Sequence, residues 1–121
     1  IAETLVQSGG YTAGPVVKPP TAPPIELESN NGLKNVRGTI GAARTSAPDS
    51  ARAQWYVNVG DNPDFDYVDA DQPGYAVFGK VTSGMATIDA ISAVETRTDP
   101  ASGLDNLPVQ DILVLTATQT R

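Results

Sequence analysis

At 121 residues with 40% hydrophobic residues, the chain predicts one globular domain, residues 1–121, whose apolar runs are too short to cross a membrane. Its net charge of −6 argues against nucleic acid as the main partner, because phosphate binding requires clustered lysine and arginine. The sequence contains neither cysteine nor histidine, which excludes disulfides, thiolate or histidine catalysis and most zinc sites.

The first part of the chain predicts one short strand and then irregular structure. Residues 1–7 suit the strand, and Ser8-Gly9-Gly10 follows as a flexible turn without the pattern of a phosphate-binding loop. The start of the chain lacks the basic and apolar stretches of a signal peptide, so cytoplasm and periplasm both stay open as locations. Five prolines within residues 14–24 exclude a helix or a central strand, which predicts an extended surface loop.

A central stretch, residues 31–63, predicts two strands joined by a polar loop. The first strand, residues 38–43, has small side chains that suit a backbone lying against a ligand or another strand. The second, residues 54–59, alternates apolar and polar side chains, as a half-buried strand does. We expect its apolar side to face a core and its polar side to face either a ligand or water. The apolar residues are Trp55, Val57 and Val59, and the polar ones are Gln54, Tyr56 and Asn58.

The next segment predicts a loop followed by a strand. Residues 60–74 contain five aspartates among turn-forming residues, but the spacing of these aspartates does not match a calcium-binding loop. We therefore expect no metal site there. Residues 75–81 suit a strand in which Val77 and Phe78 are buried or half-buried.

A short helix is predicted after residue 81. Thr82 or Ser83 can cap its N-terminus, and an apolar stripe at three-residue spacing can pack the helix on a sheet. The stripe consists of Met85, Ile88 and Ile91. Residues 97–108 are polar and predict a loop, whereas the aliphatic residues 111–118 predict a closing strand. Five or so strands and one short helix predict a mainly β domain, a closed antiparallel β-barrel with the helix at one end.

Five runs of sequence, in collinear order, carry a more specific resemblance. They are Gln7-Ser8-Gly9-Gly10-Tyr11, NGLKNVRGTIGAART from Asn31, PDSARAQWYVNVGDNP from Pro48, GYAVFGKV from Gly74, and Gly84-Met85. Together they resemble the cyclophilin-type peptidyl-prolyl cis-trans isomerases, particularly the bacterial kind. The resemblance covers nearly the whole chain.

This resemblance implies an eight-stranded barrel whose outer face binds a proline-containing peptide and needs no cofactor or metal. Leu5, Tyr56 and Phe65 would line an apolar pocket for the proline ring. Thr4 would lie beside them, at a position that the family usually fills with phenylalanine. Tyr75 would cover one edge of the pocket.

The resemblance also implies which groups hold the backbone of the peptide. Gln7 and Gln54 would hydrogen-bond it, and the chain around Ala43 and Arg44 would pair with it as a strand does. Gln7, Gln54 and Tyr56 would be the catalytic residues.

One part of the family pattern is not found in these 121 residues. The family's catalytic arginine, like its first two strands and first helix, precedes the run that begins at Gln7, at positions before Ile1. The resemblance thus implies a barrel that is incomplete at its N-terminus. We expect a complementing N-terminal chain, or a second copy, to fill the gap, since an open barrel exposes strand edges.

Two functions follow from this interpretation. The first is a peptidyl-prolyl cis-trans isomerase that acts on X-Pro bonds of unfolded proteins and assists their folding. The alternative is a module that binds proline-containing peptides with little or no catalysis, because the arginine is missing.

Overall fold

A computed structural model of the protein describes residues 1–120. Most of its regular structure is short antiparallel strand. The strands are β1 (Leu5–Ser8), β2 (Tyr11–Thr12), β3 (Val16–Val17), β4 (Thr39–Ala42), β5 (Trp55–Asn58), β6 (Val77–Lys80), β7 (Thr96–Asp99) and β8 (Leu104–Pro108). The helix α1 is Met85–Ser92, and single 3-10 turns lie at Pro48–Ser50 and Pro63–Phe65. Among residues 1–120, no helix has the length and apolarity needed to cross a membrane.

The largest sheet has four strands in the order β1-β5-β4-β6, and all of its pairs are antiparallel. Leu5 lies opposite Asn58 and Gln7 opposite Tyr56, and residues directly opposite each other share a face of the sheet. We call this side the polar face. The other face carries Val6 and Val57, and β1 also contacts α1.

The sequence predicts a mainly β fold with one short helix, and the structure confirms it. The predicted closure of the barrel is not present within residues 1–120. The eight strands form one four-stranded sheet and two separate hairpins, β2-β3 and β7-β8, so β1 and β6 remain the edges of an open sheet.

The alternating pattern of residues 54–59 predicts the strand correctly but not the environment of its two sides. Val57 is buried, as expected, whereas Trp55 and Val59 are only half-buried. Tyr56 and Asn58 do not face water, since their exposed fractions are 2% and 0%. Both side chains hydrogen-bond to Asn35, a partner far away in the sequence.

The strand predicted at residues 75–81 is present as β6, but Phe78 is 63% exposed instead of buried or half-buried. The register between β4 and β6 shifts at this point: Ile40 pairs with Gly79, and Gly41 pairs with Val77. Phe78 is therefore the extra residue of a β-bulge, which turns its side chain away from the core.

The helix forms where it is predicted, but neither Thr82 nor Ser83 caps it. Gly84 occupies the N-cap position in the left-handed conformation, with φ = 93°. Arg37 also contacts α1, because its guanidinium donates hydrogen bonds of 2.8 Å to each carboxylate oxygen of Asp89.

Two predictions for the C-terminal part are wrong. Residues 97–108 are not a loop, because β7 and β8 form a hairpin there. The sequence of these two strands is mostly polar and lacks the apolar alternation that indicates a strand. Residues 111–118 are not a strand, although their β-branched residues favour extended backbone. A strand also needs a partner backbone, and this segment pairs with none among residues 1–120.

Candidate functional site

Two side-chain amides meet on the polar face of the sheet. Nε2 of Gln7, on β1, donates a 2.9 Å hydrogen bond to Oε1 of Gln54, which immediately precedes β5. The glycine turn after β1 makes room for this contact, because a Cβ at Gly10 would lie 2.6 Å from Cδ of Gln54. Within residues 1–120, Oε1 of Gln7 and Nε2 of Gln54 have no further partner, so an acceptor oxygen and an NH2 donor group remain for a ligand.

The amide pair borders an open cavity of about 400 Å³. Ala43 and Arg44 also line this cavity, so four of the residues singled out in the sequence surround one space. The backbone N–H of Ala43 already donates to the carbonyl of Gln54. A peptide would therefore have to use other backbone groups of this segment.

A cluster of three aromatic rings lies against Arg44, one of the residues that line this cavity. The ring centroids of Tyr56, Phe65 and Tyr75 are 5.3 to 6.2 Å apart, and each pair meets edge to face. Such pairs stabilise a protein by about 0.5–1.5 kcal/mol beyond the area that they bury. We call these residues the aromatic cluster.

Arg44 connects the cavity to the aromatic cluster. Its guanidinium carbon lies 4.6 Å from the centroid of the Tyr75 ring, a cation–π distance. The same guanidinium donates two hydrogen bonds, of 3.0 and 2.7 Å, to the carbonyl of Gly74. These contacts fix Tyr75 against Arg44, which lines the cavity.

The floor of the cluster depends on the absence of a side chain in β4. Gly41 lies directly opposite Tyr56, and a Cβ at that position would overlap the phenol ring. The sequence indicates that the small residues of this strand lie against a ligand or another strand. What they contact is an aromatic ring of the next strand.

A buried asparagine, which the sequence analysis did not single out, lies behind the aromatic cluster. The Asn35 side chain accepts a 2.6 Å hydrogen bond from the Tyr56 hydroxyl, and its Nδ2 donates to the carbonyls of Phe65 (3.0 Å) and Tyr75 (3.3 Å). It also accepts from Nδ2 of Asn58 at 3.2 Å. No local signal in the sequence identifies such a residue, because its partners lie 21 to 40 positions away.

These surroundings change the pKa values of two groups. Burial raises the pKa of the Tyr56 phenol, which therefore stays neutral and donates to Asn35. Partial desolvation on its own would raise the pKa of Asp66, but hydrogen bonds from Asn35 and the charge of Lys34 outweigh it, so the pKa lies below its usual value. The network behind the rings is thus neutral at Tyr56 and anionic at Asp66.

The two remaining sequence candidates, Leu5 and Thr4, do not line the cavity. Leu5 is buried on the polar face opposite Asn58. Thr4 precedes β1, and its hydroxyl donates to the carbonyl of Ala2. Its own carbonyl accepts from Asn62.

The residues that the structure describes include no group of three or more acidic, histidine or cysteine side chains able to hold a metal ion.

Comparison with known proteins gives consistent matches. The family model described as cyclophilin type peptidyl-prolyl cis-trans isomerase/CLD matches residues 1–119. Peptidyl-prolyl cis-trans isomerase A of Dickeya dadantii is 44% identical over 113 residues, which are 93% of this chain and 57% of that protein. Peptidyl-prolyl cis-trans isomerase B of Escherichia coli is 41% identical over 117 residues, which cover 94% of this chain and 69% of that protein. The chain thus spans little more than half of the Dickeya relative.

A solved structure shows the same fold. It is a cyclophilin type peptidyl-prolyl cis-trans isomerase of Cryptosporidium parvum, crystallised in the presence of the dipeptide Ala-Pro. The TM-score is 0.64 at 18% identity, and the match covers 90% of this chain and 63% of that chain. From the family model and the relatives at over 40% identity, the chain belongs to the cyclophilin-type peptidyl-prolyl cis-trans isomerase family.

Proposed function

We propose that residues 1–121 act as one domain of a peptidyl-prolyl cis-trans isomerase that binds proline-containing segments of unfolded proteins. The observation that carries this proposal is the arrangement around Arg44. An open cavity with two amides lies on one side of it, and an aromatic cluster lies on the other. A proline-containing segment offers matching chemistry, namely backbone amides for hydrogen bonds and an apolar ring for aromatic contacts.

The reaction needs no nucleophile, acid, base or metal. Isomerisation of an X-Pro bond crosses a barrier of about 20 kcal/mol, because the amide loses its resonance when it twists. A protein accelerates the reaction if it binds the twisted amide better than either planar form. A hydrogen-bond donor aimed at the proline nitrogen would favour the twist, because it withdraws the lone pair from the amide resonance.

In the proposed site, the peptide backbone hydrogen-bonds Oε1 of Gln7 and Nε2 of Gln54. It pairs with the backbone near Ala43 and Arg44, and the proline ring lies against the half-buried rings of Phe65 and Tyr75. Tyr56, with its hydroxyl bound to Asn35, forms the floor beneath them, and Leu5 and Thr4 extend the apolar side.

Each arginine described within residues 1–120 donates a hydrogen bond to another group of the chain. Arg52 and Arg97 each use a single nitrogen for it, and of these two only Arg52 lines the cavity. Asp89 holds Arg37, Gly74 holds Arg44, Ala22 holds Arg52, and Asp99 holds Arg97. This arrangement favours, as a second candidate function, a module that binds proline-containing peptides without accelerating their isomerisation.

Titration with a short Ala-Pro peptide, followed by NMR, tests where the chain binds. We expect chemical shift changes at Gln7, Gln54, Phe65 and Tyr75, because these side chains border the proposed site. A peptide with Ala-Ala in place of Ala-Pro should bind more weakly, since it has no ring to contact the aromatic cluster. Equal binding of both peptides, or changes confined to the β7-β8 hairpin, would contradict the proposed site.

A second surface of the chain is a candidate for binding another polypeptide. An open trough of about 470 Å³ runs along β1, α1 and the segment after β8, and apolar side chains line much of it. They include Val6, Ile88, Ile91, Ile112 and Leu113. Among the described residues, the edge of β1 beside this trough carries free backbone groups. The Thr4 carbonyl accepts a hydrogen bond from the Val59 N–H, so Thr4 and Val59 form a hydrogen-bonded pair of the two strands. Hydrogen-bonded pairs alternate along an antiparallel ladder, and the backbone N–H and C=O of Gln7 therefore point away from β5.

We propose that a further polypeptide segment, of the kind that the longer relatives carry beyond the match, pairs with the free edge of β1 and covers this trough. A fusion of the chain to the unmatched part of the Escherichia coli relative tests the proposal by hydrogen exchange. The Gln7 amide should exchange more slowly in the fusion than in the isolated chain. Protection that appears in the isolated chain as its concentration rises would instead assign the edge to a second copy.

A further inference from the structure

We propose that Asn35 is the positioning residue of the candidate site: it holds all three rings of the aromatic cluster in place without contacting a ligand. The inference rests on the proposed function, because it concerns the geometry of that site. It goes beyond the functional residues that the sequence indicates, since none of them lies behind the rings.

The first observation is that one side chain reaches three separate parts of the chain. Oδ1 of Asn35 accepts from the hydroxyl of Tyr56 on β5. Its Nδ2 donates to the carbonyl of Phe65, at the end of a 3-10 turn, and to that of Tyr75, just before β6. The amide therefore fixes one ring through its own hydroxyl and the other two through their backbone.

The second observation is that Asn35 is itself held on every side. Only 1% of the residue is exposed. Its backbone N–H donates to Asp66 at 2.7 Å, and its carbonyl accepts from the N–H of Asn62 at 2.8 Å. A buried polar group with all of its hydrogen bonds formed has one low-energy orientation, because any other would leave a partner unsatisfied. Asn35 can thus impose a fixed geometry on the rings.

The third observation is that the loop from β5 to β6 has little regular structure, so individual side-chain contacts such as those of Asn35, Arg44 and Asn62 attach it to the sheet. Residues 59–76 contain one very short 3-10 piece and several exposed aspartates, but Phe65 and Tyr75 must both return to Tyr56. The backbone bond from Tyr75 N–H to the Phe65 carbonyl, 2.8 Å, joins the two ends of the stretch between these residues. Asn35 binds both ends to the floor of the site.

The test compares Asn35→Ala with Asn58→Ala. Asn58 is the matched control, because it is also an asparagine buried in the same network, yet it hydrogen-bonds to Asn35, Thr39 and Asn62 and to no ring residue. Both variants should lose stability. Under conditions where both are folded, Asn35→Ala should weaken Ala-Pro peptide binding by about tenfold or more, since small displacements of binding groups are costly. Asn58→Ala should weaken it by about threefold or less.

A readout that needs no peptide separates this inference from the proposed function. In Asn35→Ala, the nuclear Overhauser contacts between the rings of Tyr56 and Phe65 should weaken, whereas in Asn58→Ala they should persist. If the parent chain binds no peptide but these contacts depend on Asn35, the proposed function fails and the positioning role remains. If the ring contacts and binding in Asn35→Ala equal those of Asn58→Ala, Asn35 is only structural and the inference is wrong.

Tyr56→Phe covers the case in which Asn35→Ala does not fold. It keeps the ring and removes only the hydroxyl that Asn35 holds. We expect a folded chain with weaker contacts from ring 56 to Phe65 and an intermediate loss of peptide affinity. Affinity and ring contacts equal to those of the parent chain would contradict the positioning role.

Discussion

Replacing Gly41 with alanine is expected to lower the free energy of unfolding by about 3 kcal/mol or more. A methyl group at this position would overlap the ring of Tyr56, which is almost fully buried and cannot move outward without breaking its bond to Asn35. The variant thus combines an overpacked contact with a buried polar group that loses its partner. Chemical denaturation followed by circular dichroism measures the change.

Gly79→Ala is the control for this prediction. Gly79 lies on the neighbouring strand β6, and a Cβ there would meet only the Ile40 side chain, at the ordinary contact distance of 3.9 Å. Alanine is also favoured over glycine within a strand by about 0.5–1 kcal/mol, so this variant should be no less stable than the parent chain. A Gly41→Ala variant as stable as Gly79→Ala would contradict the position of Tyr56 over β4.

Replacing Gln54 with alanine is expected to reduce kcat/KM for an Ala-Pro substrate by about 10- to 100-fold, the value of one or two well-placed hydrogen bonds. The structural cost should be small. Gln54 is half-buried, and its side chain hydrogen-bonds only to Gln7 among residues 1–120. The loss should therefore appear in activity at nearly unchanged stability, which steady-state kinetics together with a denaturation curve can establish.

Gln110→Ala removes the same kind of side chain from an exposed position after β8, outside the candidate site. Its kcat/KM should equal that of the parent chain. If Gln54→Ala also kept the parent value, the amide pair would have no part in the reaction, and the proposed roles of Gln7 and Gln54 would have to be abandoned.

Short sequence patterns predict much of the site, because they identify the strands that carry its residues. The alternation of residues 54–59 identifies β5, and the small residues 38–43 identify β4. Gln54 comes near Gln7 through the pairing of β5 with β1, and residues 1–7 predict β1 as a strand but not its partner. The resemblance to a family adds Phe65, Tyr75 and Arg44, and these do lie together in the structure.

The rest depends on contacts between distant residues, which such patterns do not contain. The even-numbered residues of β5 could equally have faced water, because it is Asn35 that binds Tyr56 and Asn58 in the interior. Residues 111–118 have the composition of a strand, but without a partner backbone they form none. The β7-β8 hairpin is the opposite case, since its two strands pair with each other although residues 97–108 are mostly polar.

Isomer exchange on a short Ala-Pro peptide, followed by NMR exchange spectroscopy, tests the central claim most directly. Without a catalyst, this exchange takes on the order of tens to hundreds of seconds. The account predicts that the chain binds the peptide at the candidate site and accelerates the exchange, and that Gln54→Ala loses most of the acceleration. Binding at the same site with no acceleration would contradict the isomerase assignment and leave a module that only binds proline-containing peptides.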